Sequence, residues 1–252
     1  MKVVAILQAR MHSTRLPGKM LLPLAGVPLV QRVIERVQRA KLLNETVLAI
    51  PLRDWPAFRH LQNSVEIYCY PGPEDDLVAR YLCAAECYGA DLIVRIPCDN
   101  PCVQGEYIDQ AITEYLDATY VFYSNTTELV SVPDKKPTKY TSGKSARWVD
   151  GIGCEVFSMS RLKWLEAKTN GQPQYREHPH KLFYDIQNDD DLEGYTGIHV
   201  NQIDPEDLLR LDVNTQADYD FISDIYNALY PTNPQFTITD ILSYLDNKTV
   251  TA

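Results

Sequence analysis

The feature that most constrains this chain is a set of short apolar runs that do not alternate with polar residues. Residues 3–7, 46–50 and 92–96 are almost continuous in Val, Ile, Leu and Ala, and helix-like patterns separate them. A strand buried on both faces requires such a run, whereas a strand with one wet face alternates. Behind Pro28, the residues Leu29, Val30, Val33, Ile34 and Val37 recur at helical spacing, and proline suits a helix start. Residues 56–61 predict a short helix and 65–69 a further strand. Residues 75–88 predict a strong helix, with acids at its front and Gly89 just past its end. Ile108, Ala111, Ile112 and Tyr115 mark another helix, and residues 120–123 another strand. Strands and helices alternating at short intervals predict an α/β fold with a mostly parallel sheet covered on both faces. Ligands of such sheets bind at the carboxyl ends of the strands. The loops after Leu7 and Ile96 are therefore the places to seek a site.

The second half is less regular. Residues 128–147 hold Pro133, Asp134, Lys135, Lys136, Pro137, Lys139 and Lys144 with few apolar residues, and predict a mobile loop or an excursion from the sheet. Residues 151–158 return to strand character and 161–168 to a helix. Residues 195–200 predict a strand, and 217–229 and 239–245 closing helices. At 252 residues the chain fits one domain with an insertion at about 128–200. No run of 18 apolar residues predicts a membrane span, and Gln8 and Arg10 cut the first apolar run too short for a signal peptide. The six cysteines form no Cys-x-x-Cys pair, which predicts reduced thiols in a cytoplasmic protein. A formal net charge of −10 disfavours nucleic acid and anionic membranes as partners.

Against that acidity, the loop after the first strand is an anomaly. Between Gln8 and Lys19 it gathers Arg10, Arg15 and Lys19 with the hydroxyls of Ser13 and Thr14. Phosphate is the natural reason, because guanidinium donates in a planar fork and ammonium supplies a compact charge. The loop is no Walker A motif: Ser13 stands where the first glycine would be, and Met20 follows Lys19. It also lacks the Gly-x-Gly-x-x-Gly of dinucleotide sites.

Gln8-Ala9-Arg10 followed by Ser13-Thr14-Arg15-Leu16-Pro17-Gly18-Lys19 resembles the opening motif of the cytidylyltransferases related to spore coat polysaccharide biosynthesis protein F. These are in turn similar to the CMP-sialate and CMP-Kdo synthetases. The resemblance continues through Pro71 to Leu77 with Arg80-Tyr81, through Ile93 to Ile96 and Asp99-Asn100-Pro101, and through Ser124-Asn125. It extends over Asp150-Gly151 with Glu155 to Ser158, Arg176-Glu177-His178, and Leu211 to Tyr219. It implies a three-layer α/β sandwich of the nucleotide-diphospho-sugar transferase type. It implies transfer of CMP from CTP to an acidic sugar with release of pyrophosphate, and a homodimer paired through the insertion. Gln8, Ala9 and Arg10 would then lie near the cytosine and phosphates with Ser13 and Thr14. Arg15 and Lys19 would hold the triphosphate, Arg95 would join the nucleotide-binding set, and Asp99 would bind Mg²⁺. Three departures stand out. Cys98 replaces the family's glycine before the metal-binding Asp, Asn214 its acid in a Val-Asp-Thr sequence, and Gly153 its Asp.

The residues themselves support part of this. Attack on the α-phosphorus of a nucleoside triphosphate needs alignment and charge neutralisation. Mg²⁺ takes one or two carboxylates and the phosphates. Asp99 follows the strand at 92–96 and can serve as a ligand or as a helix cap. Asp212, two residues before Asn214 and on the same face of an extended strand, is the second ligand expected. Arg176, Glu177 and His178 form a polar cluster suited to an acidic acceptor, and Asp150 and Glu155 can shape its pocket. Glu74, Asp75 and Asp76 read as a helix front. Tyr140, Trp148 and Trp164 are aromatic anchors for a dimer or members of the core. Three other readings stay open: a cytidylyltransferase for a phosphonate or other non-sugar acid, a nucleotide-sugar-binding glycosyltransferase, and a catalytically silent subunit.

Overall fold

The computed structural model describes residues 1–117, 123–124, 130–131, 140–142, 145–177, 182, 199–200 and 208–250. Strand β1 (Val3–Gln8) buries every side chain from Val3 to Leu7, as its apolar run requires. A small hairpin follows, β2 (Pro23–Leu24) and β3 (Val27–Pro28), turned by Ala25 at φ +48 and Gly26 at φ +89. Helix α1 (Leu29–Val37) then returns across the sheet to β4 (Glu45–Pro51). Short helices α2 (Trp55–Phe58) and α3 (Leu61–Ser64) lead to β5 (Tyr68–Gly72), α4 (Leu77–Cys87), β6 (Leu92–Pro97) and α5 (Gly105–Asp117).

Later strands are β7 (Tyr123–Ser124), β8 (Val130–Ser131), β9 (Tyr140–Ser142), β10 (Ser145–Asp150) and β11 (Glu155–Ser158). Helices α6 (Met159–Lys168) and α7 (Pro173–Arg176) follow, then β12 (His199–Val200) and β13 (Leu208–Arg210). Helices α8 (Gln216–Leu229) and α9 (Ile238–Val250) close the chain. None of the described helices is long and apolar enough to cross a membrane.

The central sheet has the order β5-β4-β1-β6-β11-β7. Strand β1 runs parallel to β4 and β6, with Leu7 beside both Leu48 and Ile96, and β5 is parallel to β4. Strand β11 turns back antiparallel against β6. Alternate residues of β1 face opposite layers. Val3, Ala5, Leu7 and Ala9 pack with apolar residues of α1, α5, α8 and α9, while Val4 and Ile6 pack with those of α4 and α6. This is the mostly parallel, three-layer α/β sandwich the sequence predicts.

Several expectations shift on inspection. The strand placed at 65–69 runs from Tyr68 to Gly72. It can hold Pro71 because β5 is a sheet edge, where one missing N–H costs little. The helix at 56–61 is broken into α2 and α3. Residues 128–147, read as loop or excursion, include strands that pair outside the main sheet: β9-β10-β13 form one small sheet and β8-β12 another. Strands β8, β9 and β13 are too short for periodicity to reveal, whereas β12 falls within the strand predicted at 195–200. Residues 120–122 and 195–198, parts of two predicted strands, lie outside the described residues. So do the side chains of Tyr140 and Trp148. Trp164 packs on the α4 side of the sheet, with the Arg161 guanidinium 5.3 Å from its ring centre.

Gly151 ends β10 at φ +86, and a Cβ there would meet the Asp212 nitrogen at 2.8 Å and the Leu211 carbonyl carbon at 2.9 Å. Only glycine permits both the left-handed conformation and this approach. Gly151→Ala should therefore lower stability by about 1–3 kcal/mol. The expected reading is a lower urea midpoint with an unchanged slope. An unchanged midpoint would remove the packing argument.

Candidate functional site

The carboxyl ends of β1 and β6 open into a cleft of about 490 Å³. Its first wall is the loop after β1. Gly18, at φ +71, donates its N–H to the Met11 carbonyl at 3.1 Å and so folds residues 11–18 back on themselves. The Met11 N–H in turn donates to an Asp54 carboxylate oxygen at 2.8 Å, fixing the loop to the neighbouring strand connection. The turn delivers Lys19 to the start of a 3₁₀ segment, where its residue is only 7% exposed.

Lys19 Nζ donates to Asp99 Oδ2 at 2.9 Å, to the Val213 carbonyl at 2.7 Å and to Asn214 Oδ1 at 3.3 Å. Arg15 Nη2 also reaches Asn214 Oδ1, at 2.8 Å. Asn214 Nδ2 donates to the carboxylate of Asp212, which pairs with Arg210 at 2.9 Å. The Val213 N–H donates to the Asp99 carbonyl at 2.8 Å and ties the two acidic segments together. Below them Thr215 and Asp218 form a reciprocal cap on α8. Burial opposes the Asp218 charge, but N–H donation from Thr215 and Asn214 holds its carboxyl below the usual range. Asp99 caps no helix, since α5 begins six residues later at Gly105 and the Asp99 carboxylate accepts from Lys19.

The second wall lies on the α4 side. Gln8 Oε1 accepts from Tyr81 Oη at 3.0 Å and from Arg95 Nε at 3.1 Å. Arg95 forms a buried ion pair with Glu155. Arg80, 2% exposed, donates to the carbonyls of Pro73 at 2.7 Å and Glu74 at 2.6 Å, bracing the segment that enters α4. Burial draws its guanidinium below the ordinary arginine value. Asp76 accepts from the Ala79 N–H at 2.9 Å as the α4 cap, and Glu74 pairs with Arg53.

All eight residues expected on the nucleotide side line this cleft: Gln8, Ala9, Arg10, Ser13, Thr14, Arg15, Lys19 and Arg95. Asp99, Asp212, Asn214, Glu155 and Glu177 line it too. At the mouth Glu177 pairs with Arg10 at 3.3 Å. Arg176 stands apart from the lining: its guanidinium is held between Asp76 and Glu166, where it locks α7 to α4 and α6. The expectation placed Arg176 at the acceptor; here its guanidinium is engaged by these two carboxylates. The backbone of Asp150 lies beside Arg210 in the β10–β13 pairing, and its side chain lies outside the described residues. His178 lies outside the described residues. Cys98 is buried, its thiol pushed well up by burial and by Asp99 beside it. Its φ is not positive, so the position does not demand the family's glycine. Sequence reasoning missed Tyr81 and Arg80 as site residues. The signal available was an arginine followed by a tyrosine within a largely apolar helix.

The profile of the cytidylyltransferase family matches residues 4–232. Spore coat polysaccharide biosynthesis protein SpsF of Bacillus subtilis is 25% identical over 259 residues, covering 97% of this chain and 94% of that protein. The 3-deoxy-manno-octulosonate cytidylyltransferase of Geobacter sulfurreducens is 38% identical over 113 residues, a stretch covering 44% of each chain. Among solved structures, a cytidylyltransferase from Leptospira borgpetersenii superposes with a TM-score of 0.78 at 23% identity, covering 99% of this chain and 96% of that one. The fold is thus of the nucleotide-diphospho-sugar transferase type. With its phosphate-suited loop at the sheet's carboxyl edge and the family profile running almost end to end, the chain belongs to the cytidylyltransferase family.

Proposed function

We propose that the protein transfers CMP from CTP to an acidic sugar and releases pyrophosphate, as a step towards a surface polysaccharide. The observation that carries this reading is the convergence of Arg15, Lys19, Asp99 and the 212–214 segment at one end of the cleft, in a chain of net charge −10. Phosphate oxygens can replace the present partners of Lys19 and Arg15, which would hold the triphosphate in line with an acceptor hydroxyl. The hydroxyl oxygen bonds to the α-phosphorus and gives up its proton to solvent, the bond from the α-phosphorus to the oxygen bridging the β-phosphate breaks, and pyrophosphate leaves. Likeness to the 3-deoxy-manno-octulosonate cytidylyltransferase supports a sugar acid as acceptor, and likeness to SpsF supports a polysaccharide as the destination.

The donors present fit Mg²⁺. Asp99 and Asp212 offer hard carboxylate oxygens at one end of the cleft. That matches an ion which takes one or two carboxylates and completes its shell with phosphate and water. When bound there it would neutralise phosphate charge. The test is a thermal-shift comparison of CTP, UTP, ATP and GTP, each with and without Mg²⁺. CTP with Mg²⁺ should stabilise most, by about 2.7 kcal/mol at a hundredfold excess over Kd. Equal shifts for all four would sink the cytidine assignment, and absence of pyrophosphate with a panel of sugar acids would sink the acceptor class.

A further inference from the structure

Arg36, on α1, is a buried cation that does not line the cleft. It is 3% exposed. Its guanidinium stacks over the Phe236 ring, 4.4 Å from the ring centre, and Nη2 donates to the Phe236 carbonyl at 2.8 Å. Neither partner carries a charge. Among the described residues Arg36 pairs with no carboxylate, and its Nε has no hydrogen-bond partner. Buried charges are ordinarily paired, because an uncompensated one is costly.

A second cation stands beside it. Arg39 donates to the Pro234 carbonyl at 3.0 Å, and burial and then the neighbouring Arg36 charge draw its guanidinium below the ordinary arginine value. Both arginines line a cavity of about 30 Å³. Gln104, 7% exposed, lines it too, and its Nε2 is another buried donor with no partner among the described residues. The start of α5 closes one side: a Cβ at Gly105 would meet the Ala40 nitrogen at 2.7 Å, so this helix end is pressed against the end of α1. A helix start favours negative charge. The one carboxylate on the lining, Glu106, is exposed and pairs with neither arginine. The surroundings thus call for a negatively charged acceptor, and the space limits its size. A single water takes at least about 10–15 Å³, so this cavity admits one or two bodies of that size. A halide fits, whereas phosphate or sulfate, with four oxygens around a central atom, does not. Water fits as well but leaves the charge uncompensated.

We infer that the cavity between α1, the start of α5 and the segment before α9 binds one chloride-sized anion, held by Arg36 Nε, Gln104 Nε2 and the charge of Arg39. None of these three residues lines the nucleotide cleft, so the site stands whatever the enzyme transfers. Gln104 ends the loop that begins at Asp99, and its N–H donates to the Ile152 carbonyl at 3.0 Å. The anion therefore braces the back of the loop whose front carries Asp99.

Thermal melts at constant sodium concentration, with gluconate replaced stepwise by chloride, read the site directly. The melting temperature should rise by about 3 °C or more once chloride stands tenfold above its Kd, and bromide should act alike. Gln104→Glu supplies a fixed carboxylate beside Arg36 and should abolish this response. Equal responses in variant and wild type are a general salt effect and overturn the inference, as does no response in the wild type. A larger response to phosphate that Gln104→Glu also abolishes overturns the choice of anion. A wild-type crystal grown in bromide gives a reading independent of the variant. An anomalous peak within hydrogen-bond distance of Arg36 Nε and Gln104 Nε2 supports the site. A water in that place, or the Gln104 carbonyl turned onto Arg36 Nε, overturns it.

Discussion

Lys19→Ala should weaken CTP binding by about 30- to 1000-fold, on the order of 2 to 4 kcal/mol, and lower turnover with it. The size follows from where the charge sits. The Lys19 side chain is 9% exposed and its Nζ touches three oxygens from two segments. A phosphate arriving there meets a cation already desolvated and aimed, so little is spent on ordering it. Arg15→Ala should act in the same direction and less, because Arg15 is exposed and its described bond is to Asn214 alone. Removing Lys19 also strips a partner from Asp99 and from the Val213 carbonyl, so the ligand-free protein should melt lower. The two effects separate by measurement: the CTP Kd from calorimetry reports the phosphate role, and the ligand-free melt reports the packing role. Unchanged CTP affinity and turnover in both variants would remove the phosphate role from this loop.

The sequence was most legible where a single physical demand governs many residues. Strands buried on both faces must be apolar throughout, so β1, β4 and β6 could be placed to within a residue or two. Three cations in an acidic chain demand a ligand, so Arg10, Arg15 and Lys19 could be assigned to the cleft before its shape was known. Legibility failed where tertiary contacts decide. Arg176 has the composition of a ligand-binding arginine, but whether its partners are substrate or protein depends on Asp76 and Glu166, 100 and 10 residues away. Tyr81 reads as core from its helix position, and it is core; only its hydroxyl, within hydrogen-bond distance of Gln8 on β1, gives it a part in the site. The hairpin of β2 and β3 is too short for any periodicity, and its turn relies on Ala25 in a left-handed conformation that alanine rarely adopts. Asn214, a departure from the family's acid, proves central: it receives Arg15 and Lys19 and donates to Asp212, joining cations and carboxylate in one network.

That network sets the expected outcome for Asp99→Asn, a fall in turnover of about two orders of magnitude, near 3 kcal/mol, with the fold retained. A triphosphate and a sugar acid bring several negative charges into a chain that already carries −10. Arg10, Arg15 and Lys19 cannot offset them all, and Arg10 is shared with Glu177. A divalent ion is therefore part of the proposal, with Asp99 its first protein ligand. Asparagine has the shape of aspartate and can still accept from Lys19, but its neutral oxygen is a far weaker ligand for a hard cation. Lys19 would keep the Val213 carbonyl and Asn214 Oδ1, and the Asp99 side chain is 26% exposed, so the unpaired charge is cushioned by protein and water. The ligand-free melting temperature should then move by no more than about 4 °C. Asp212→Asn should act differently. Its carboxylate is already engaged by Asn214 and Arg210, so its loss should raise the Mg²⁺ concentration needed for half-maximal rate more than it lowers the maximal rate. The checks are pyrophosphate release against Mg²⁺ concentration for each variant, and the wild type in excess EDTA. Near-normal Mg²⁺-dependent turnover in Asp99→Asn would put the metal elsewhere. Full wild-type activity in EDTA would end the metal proposal altogether, and charge neutralisation would then fall to Lys19, Arg15 and Arg10 alone.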